Sequence, residues 1–247
     1  MEGQVNQLAE ILENSEKIVF FGGIGVSEGS GISDFRKEKG MYSEKLESFL
    51  NPEQIVSYSF FRNSMDEFYE FYKSKLISLD AKPNDCHIAL NELEKMGKIQ
   101  AIVTLNIDGL HQTAGSKKVH ELNGSIHRNY CSTCGAPYSA KYVLDADGIP
   151  TCTRCEGTIK PDVILFGERF DNEMIEYIIY CIMKADTIIV GGTSLAFCPI
   201  AGIIKSYFEG KNLVVINETI TPADNKANLI IQGNVVDVMK QAVESMK

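Results

Sequence analysis

The chain has no long apolar run, no excess of basic residues and no repeat. No stretch approaches the roughly 18 apolar residues of a membrane span, and the first 17 residues, "MEGQVNQLAEILENSEK", lack the basic start and apolar run of a secretory signal. They read instead as an acidic amphipathic helix, with Leu8, Ile11 and Leu12 at helical spacing. Lys and Arg number 24 against 33 Asp and Glu, a net charge of −9. Such a surface repels nucleic acid and anionic membrane, so neither is expected as a partner. A cytoplasmic protein follows as the expectation. Its seven cysteines then read as metal ligands or buried thiols rather than disulfides. Nothing in the sequence speaks to oligomeric state.

Five short apolar runs end in small or polar residues: "KIVFFGGIG" (17–25), "KIQAIVTLNID" (98–108), "ADTIIVGGTSL" (185–195), "KNLVVINET" (211–219) and a short one inside "ANLIIQGNVVDVM" (227–239). Helical patterns lie between them at 84–97, 171–184, 199–209 and 234–246. Buried strands alternating with helices predict an α/β fold with a doubly wound parallel sheet, whose ligands bind at the carboxyl ends of the strands. Two segments break the alternation. Residues 40–79 are rich in Phe and Tyr at helical spacing, and residues 127–160 hold four cysteines among turn signals. They are expected to form a small domain inserted into a larger one made of 1–39, 80–126 and 161–247.

Cys131-x-x-Cys134 and Cys152-x-x-Cys155 lie 17 residues apart. Paired turns of this kind bring four thiolates to one ion, and a site filled by four sulfurs leaves no position for water. One structural zinc is therefore expected. Cys86, Cys181 and Cys198 sit in apolar or helical settings and read as core residues.

"GGIGVSEGSGISDFR" (22–36) follows the first strand. Glycines there let backbone N–H groups approach a pyrophosphate, yet Glu28 stands where the G-x-G-x-x-G pattern from Gly23 needs its third glycine. By itself the stretch fits a phosphate loop and a plain tight turn equally. With "TLNIDGLHQTAG", "ELNGSIHRNYC", the two cysteine turns, "VILFGE" and "GGTSL" in the same order, it resembles the sirtuin family over nearly the whole chain. The resemblance implies a Rossmann-like NAD-binding domain, a smaller zinc-binding and helical domain, and a cleft between them that takes NAD and an acyl-lysine peptide. The activity implied is NAD-dependent removal of acyl groups from protein lysines, with release of nicotinamide and O-acyl-ADP-ribose.

Carried onto this sequence, the resemblance assigns Gly23, Ile24, Gly25 and Ser27 to the phosphate turn, Phe35 to the cover over the ribose and Arg36 to the phosphates. Leu105, Asn106, Ile107 and Asp108 fall at the nicotinamide pocket, where Asp108 would bond the carboxamide. Thr193, Ser194, Asn217 and Val235 fall at the adenosine half, and Val163 and Phe166 on the acyl-lysine channel. Asn106, Asp108 and Asn123 occupy the catalytic positions.

Four positions depart from the family: Ile24, Ser33, Leu105 and Asn123 stand where it usually has Ala, Pro, Gln and His. The last bears on turnover. In the family reaction an alkylimidate forms, and the His takes a ribose hydroxyl proton so that the oxygen attacks it. An amide cannot accept that proton near pH 7. His87, His111, His120 and His127 are not expected to substitute. An impaired deacylase is therefore the leading expectation. The alternatives are an inactive module that binds NAD and acyl-lysine, and an NAD-dependent protein ADP-ribosyltransferase. Tyr72-x-x-Lys75 is the nearest match to the Tyr-x-x-Arg pair of members favouring acidic acyl groups. Its aromatics read as core packing, so a small, neutral acyl group is expected.

Overall fold

The computed structural model describes residues 2–34, 51–193 and 200–246. Six parallel strands form the main sheet in the order β3-β2-β1-β7-β8-β9. They are β1 Ile18–Gly22, β2 Ile99–Thr104, β3 Val119–Glu121, β7 Thr187–Gly191, β8 Asn212–Asn217 and β9 Leu229–Gln232. Three antiparallel strands, β4 Gly124–Cys131, β5 Pro137–Tyr138 and β6 Ile159–Val163, make a second sheet in the order β5-β4-β6.

Both faces of the main sheet are covered. Ile18 and Phe20 of β1, Ile102, Ile189 and Val214 point to one face, against Leu8 and Leu12 of the helix Glu2–Asn14, Leu90 and Leu93 of Asp85–Lys95 and Val238 of Val235–Glu244. Val19, Phe21, Ala101, Val103, Ile188 and Val190 point to the other, against Ile178 and Ile182 of Asn172–Lys184. This alternation has the period of a pleated strand buried on both sides, and it accounts for the continuous apolar runs.

The parallel register lines up Gly22 with Thr104 and with Gly191, Thr104 with Glu121, and Gly191 with Ile216. These carboxyl ends share one edge. Strand order reverses between β1 and β7, and a crevice outside that switch point is where such sheets take ligands. β3 was not among the expected strands. Three residues are too few to display a period, and β3 exists because its partner β2 offers an edge. The five expected strands run shorter than read, each ending one residue past its last apolar side chain.

In 51–79 the chain forms three short helices, Pro52–Ile55, Tyr58–Asn63 and Met65–Phe71, and then a π-helical turn, Tyr72–Leu76. Asn51 and Ser57 cap the first two through their side chains. Phe61, Phe68, Tyr69 and Tyr72 form a cluster with Ile126, Ile159, Val163 and Leu165 of the second sheet and its flanks. Phe68 and Tyr72 stack with ring centroids 5.6 Å apart. Tyr72 is thus a core residue, in keeping with the packing reading of this aromatic segment. No helix among the described residues is long and apolar enough to cross a membrane.

Candidate active site

Beyond β1 the chain turns at Gly23 into a short helix, Ile24–Glu28. Gly25 N–H donates to the carbonyl of Gly192 at 2.9 Å. A Cβ on Gly25 would lie 2.7 Å from Gly192 Cα, and one on Gly23 would lie 2.6 Å from Thr193 Cβ. From the sequence, these glycines are expected to turn N–H groups toward a pyrophosphate. In the structure both are required by the close approach of the two loops, and the Gly25 N–H is already used. Gly192 itself has φ +60°, which favours glycine.

Ser27 points down from this short helix and is completely buried. Its hydroxyl donates to Asp108 Oδ2. Asp108 Oδ1 accepts from Leu110 N–H at 2.9 Å, so both carboxylate oxygens are held. Asn106 Nδ2 donates to Gly23 O at 2.8 Å, while its own N–H donates to Thr104 Oγ1 at 3.0 Å. Asn106 and Asp108 are each 8% exposed. Both are anchored groups at the lip of the crevice rather than free surface side chains.

The third loop leaves β3. Asn123 Nδ2 donates to Leu105 O at 2.8 Å, and Asn123 O accepts from Ile164 N–H at 2.9 Å. Ile126 N–H donates to Ile107 O at 3.0 Å. His127 Nε2 lies 2.9 Å from Asp108 O. The segments 23–28, 104–110 and 121–127 therefore meet, as the sequence reading required. Leu105 turns its side chain toward the second apolar cluster and joins this junction through its backbone, its carbonyl accepting from Asn123 and its N–H donating to Gly22 O at 2.9 Å.

A model of the Sir2 family matches residues 23–199. A protein of Clostridium perfringens named NAD-dependent protein deacetylase is 53% identical over 244 residues, covering 99% of this chain and 100% of that one. One of Clostridium acetobutylicum with the same name is 48% identical over 241 residues, covering 97% and 98%. The chain belongs to the Sir2 family. Among solved structures, a Sir2 with p53 peptide and NAD+ is 34% identical with a TM-score of 0.85, covering 98% of each chain. A Sir2 bound to acetylated peptide is 33% identical with the same TM-score and coverage.

Other residues expected at a Sir2 site are placed as follows. Thr193 follows β7 and is 7% exposed. Asn217 ends β8, where its Nδ2 donates to Thr219 O at 2.8 Å. Val235 opens the last helix with its side chain buried; a Cβ on Gly191 would lie 2.7 Å from Val235 Cγ2. Val163 ends β6, buried, whereas Phe166 is 41% exposed. Phe166 N–H donates to Val56 O and its carbonyl accepts from Tyr58 N–H, which ties the segment after β6 to the helical segment. Ile24 and Leu105 are half-buried. Phe35, Arg36, Ser194 and Cys198 lie outside the described residues.

The four histidines have other occupations. His87 and His111 are buried with ring centroids 4.6 Å apart. Burial lowers His87 to about 4, against a smaller upward pull from Asp108, and lowers His111 to about 3, with His87 adding to the effect. His120 packs on Tyr177 at 4.9 Å.

The Sir2 cysteines form a compact cluster. Their sulfurs all lie within 4.8 Å of one another, with Cys131 and Cys155 at 3.5 Å and Cys134 and Cys152 at 3.6 Å. A tetrahedron with metal–sulfur distances of about 2.3 Å has edges of about 3.8 Å, so these residues fit zinc. Thr133 N–H and Cys134 N–H point at Cys131 Sγ, Arg154 N–H at Cys152 Sγ, and the Tyr138 hydroxyl donates to Cys152 Sγ at 3.1 Å. These donors favour thiolate; the Tyr138 bond first, then the N–H groups, hold Cys152 down at about 6. A Cβ on Gly157 would lie 3.0 Å from Cys131 Sγ, so glycine lets the second turn close over the cluster.

Sequence reading missed one group. Arg128 on β4 spans Glu121 and Asp162, through Nη1 at 2.6 Å and Nε at 2.7 Å. No spacing rule links three charges so far apart in the chain.

Proposed function

We propose that the protein is an NAD-dependent protein deacetylase whose deacylation step is slowed by Asn123. The names of its relatives support the reaction class. The observation that carries the reading is the meeting of three loops, through Ser27 with Asp108, Asn106 with Gly23, and Asn123 with Leu105.

NAD supplies the electrophilic ribose carbon and the nicotinamide leaving group. Asp108, fixed by Ser27 and Leu110 N–H, keeps lone pairs free to accept from a carboxamide. Asn106 sets the height of the 104–108 loop over Gly23. Val163 and Phe166 line the path of an acyl-lysine peptide, which binds here as an added strand. Thr193, Ser194, Asn217 and Val235 serve the adenosine half, and Phe35 and Arg36 the ribose and phosphates.

At position 123 the amide spends Nδ2 on Leu105 O. Its oxygen can orient a hydroxyl but takes no proton near pH 7. Nicotinamide release, which depends on placement and electrostatics, proceeds; the later proton abstraction is slow. General-base catalysis is typically worth about 10²–10⁴-fold.

The division of labour between a large NAD-binding domain (1–39, 80–126, 161–247) and a small one (40–79, 127–160) belongs to the same reading. The aromatic cluster shared by the helical segment and the second sheet supports it. The cytoplasm is the proposed compartment, because four clustered thiols that are to bind metal rather than pair as disulfides need reducing surroundings.

The test follows two products at once. With NAD and an acetyl-lysine peptide, the protein should release nicotinamide faster than it yields deacetylated peptide. Asn123→His should raise the latter by about 10²–10⁴-fold and leave the former within a few-fold. Binding of NAD with no nicotinamide release by either form would favour a module that binds without turnover. Failure of both to bind NAD would end the catalytic reading.

A further inference from the structure

The residue at position 123 sits where the chain passes from one sheet to the other. Glu121 ends β3 in register with Thr104 of the main sheet. Two residues past Asn123, Ser125 pairs with Asp162 of β6 in the small sheet. Asn123 therefore bridges two sheets that share no strand. Its placement depends on how those sheets are held at the seam.

Arg128 holds that seam. The ladder between β4 and β6 shifts register between Ser125 and Asn129, and such irregularities re-aim side chains. The guanidinium of Arg128 reaches Glu121 Oε2 with Nη1 and Asp162 Oδ2 with Nε. One planar group thus grips the strand before Asn123 and the strand opposite it. A single lysine nitrogen has no such fork. The Glu121 side chain is only 6% exposed, whereas those of Arg128 and Asp162 are 42% and 40% exposed. A buried carboxylate without its partner is costly, so the pair resists sliding of β3 against β4.

We propose that Arg128, through Glu121 and Asp162, is a positioning residue for position 123: it fixes the distance between the residue-123 side chain and the Val163 wall. It touches no reacting atom. The effect on turnover rests on the deacetylase reading above; the geometric effect does not.

Two measurements separate these. In the full-length protein, the side-chain amide resonances of Asn123 are identified by their loss in Asn123→His. They should shift in Arg128→Lys, Arg128→Ala and Glu121→Gln. They should stay in place in Lys141→Ala, which breaks only the exposed Lys141–Asp145 pair. In the Asn123→His background, Arg128→Lys should lower kcat for deacetylation by about 10- to 100-fold, the scale set by small misplacements. KM for NAD should move by less than about threefold, since a misplaced base weakens chemistry more than uniform binding.

Unchanged Asn123 resonances in folded Arg128→Lys and Glu121→Gln would overturn the proposal. So would a kcat loss no larger than the loss of folded protein, which marks a structural bridge only. If no form releases nicotinamide, the deacetylase reading fails, and the resonances still decide the clamp. Should Arg128→Ala not fold, the lysine and glutamine variants carry the test.

Discussion

The six-stranded sheet buries aliphatic side chains on both faces, whereas the three-stranded sheet has one aromatic cluster and a knot of four thiols. The first is a conventional core, with Phe20, Ile102, Ile189 and Ile231 sealed from water. The second has strands as short as Pro137–Tyr138, and a small sheet of this kind is marginal without help. Tyr138 illustrates the difference: its ring packs against Tyr142 and the aromatic cluster while its hydroxyl serves Cys152 Sγ and Thr153. Buried area stabilises the first region, the second carries a thiol cluster that fits a structural zinc, and the crevice lies where they meet.

The sharpest way to break this comparison is to remove the coordination. Metal analysis should give one zinc per chain, and chelation or Cys152→Ser should unfold the small sheet while the main sheet persists. Structural zinc contributes on the order of 10 kcal/mol in small modules. Two separated transitions in thermal unfolding would record it; a single unchanged transition, or no bound metal, would refute the assignment.

Next comes the joint between the regions. Gly124 has φ +80°, and a Cβ there would lie 1.9 Å from Asp162 O. Backbone cannot give way cheaply at that distance. Gly124→Ala should cost more than about 4 kcal/mol in denaturant titration, among the largest single-residue effects. A cost under about 1 kcal/mol would mean that β4 and β6 do not pair as described.

The smallest effect probes the main-sheet side alone. His87 and His111 are held neutral, at about 4 and about 3 against a usual 6.5. Below pH 6.5 the unfolded chain takes up protons that the folded chain refuses, so stability falls as pH falls. It is fully present above that value. From pH 6.5 to 5.5 each histidine should contribute a loss of roughly 1 kcal/mol. His111→Leu should flatten the slope; an equal slope in both proteins would place the titration elsewhere.

Much of the main sheet was legible because fully buried strands spell themselves as apolar runs. Its edge was not: Val119, His120 and Glu121 carry no pattern. In the small sheet, Pro161 within β6 disguises that strand as a turn. The thiol cluster was legible from spacing alone. The crevice was legible only through resemblance, since Ser27 and Asp108 are 81 residues apart and nothing local announces their bond. The contact of the glycine turn with Gly192 was not legible, because a missing Cβ reads the same in sequence whether it makes room for a ligand or for another loop.

Where Gly25 meets Gly192, a methyl group on the first would strike the backbone of the second, and one on Gly192 would lie 2.9 Å from the Gly25 carbonyl carbon. Neither can be exchanged alone without redrawing the path of both loops. Drift in such a lineage is channelled to neighbours with room to vary. Ile24, Leu105 and Asn123, all half-buried, are neighbours of that kind, so the chemistry of this crevice can wander while its frame stays put.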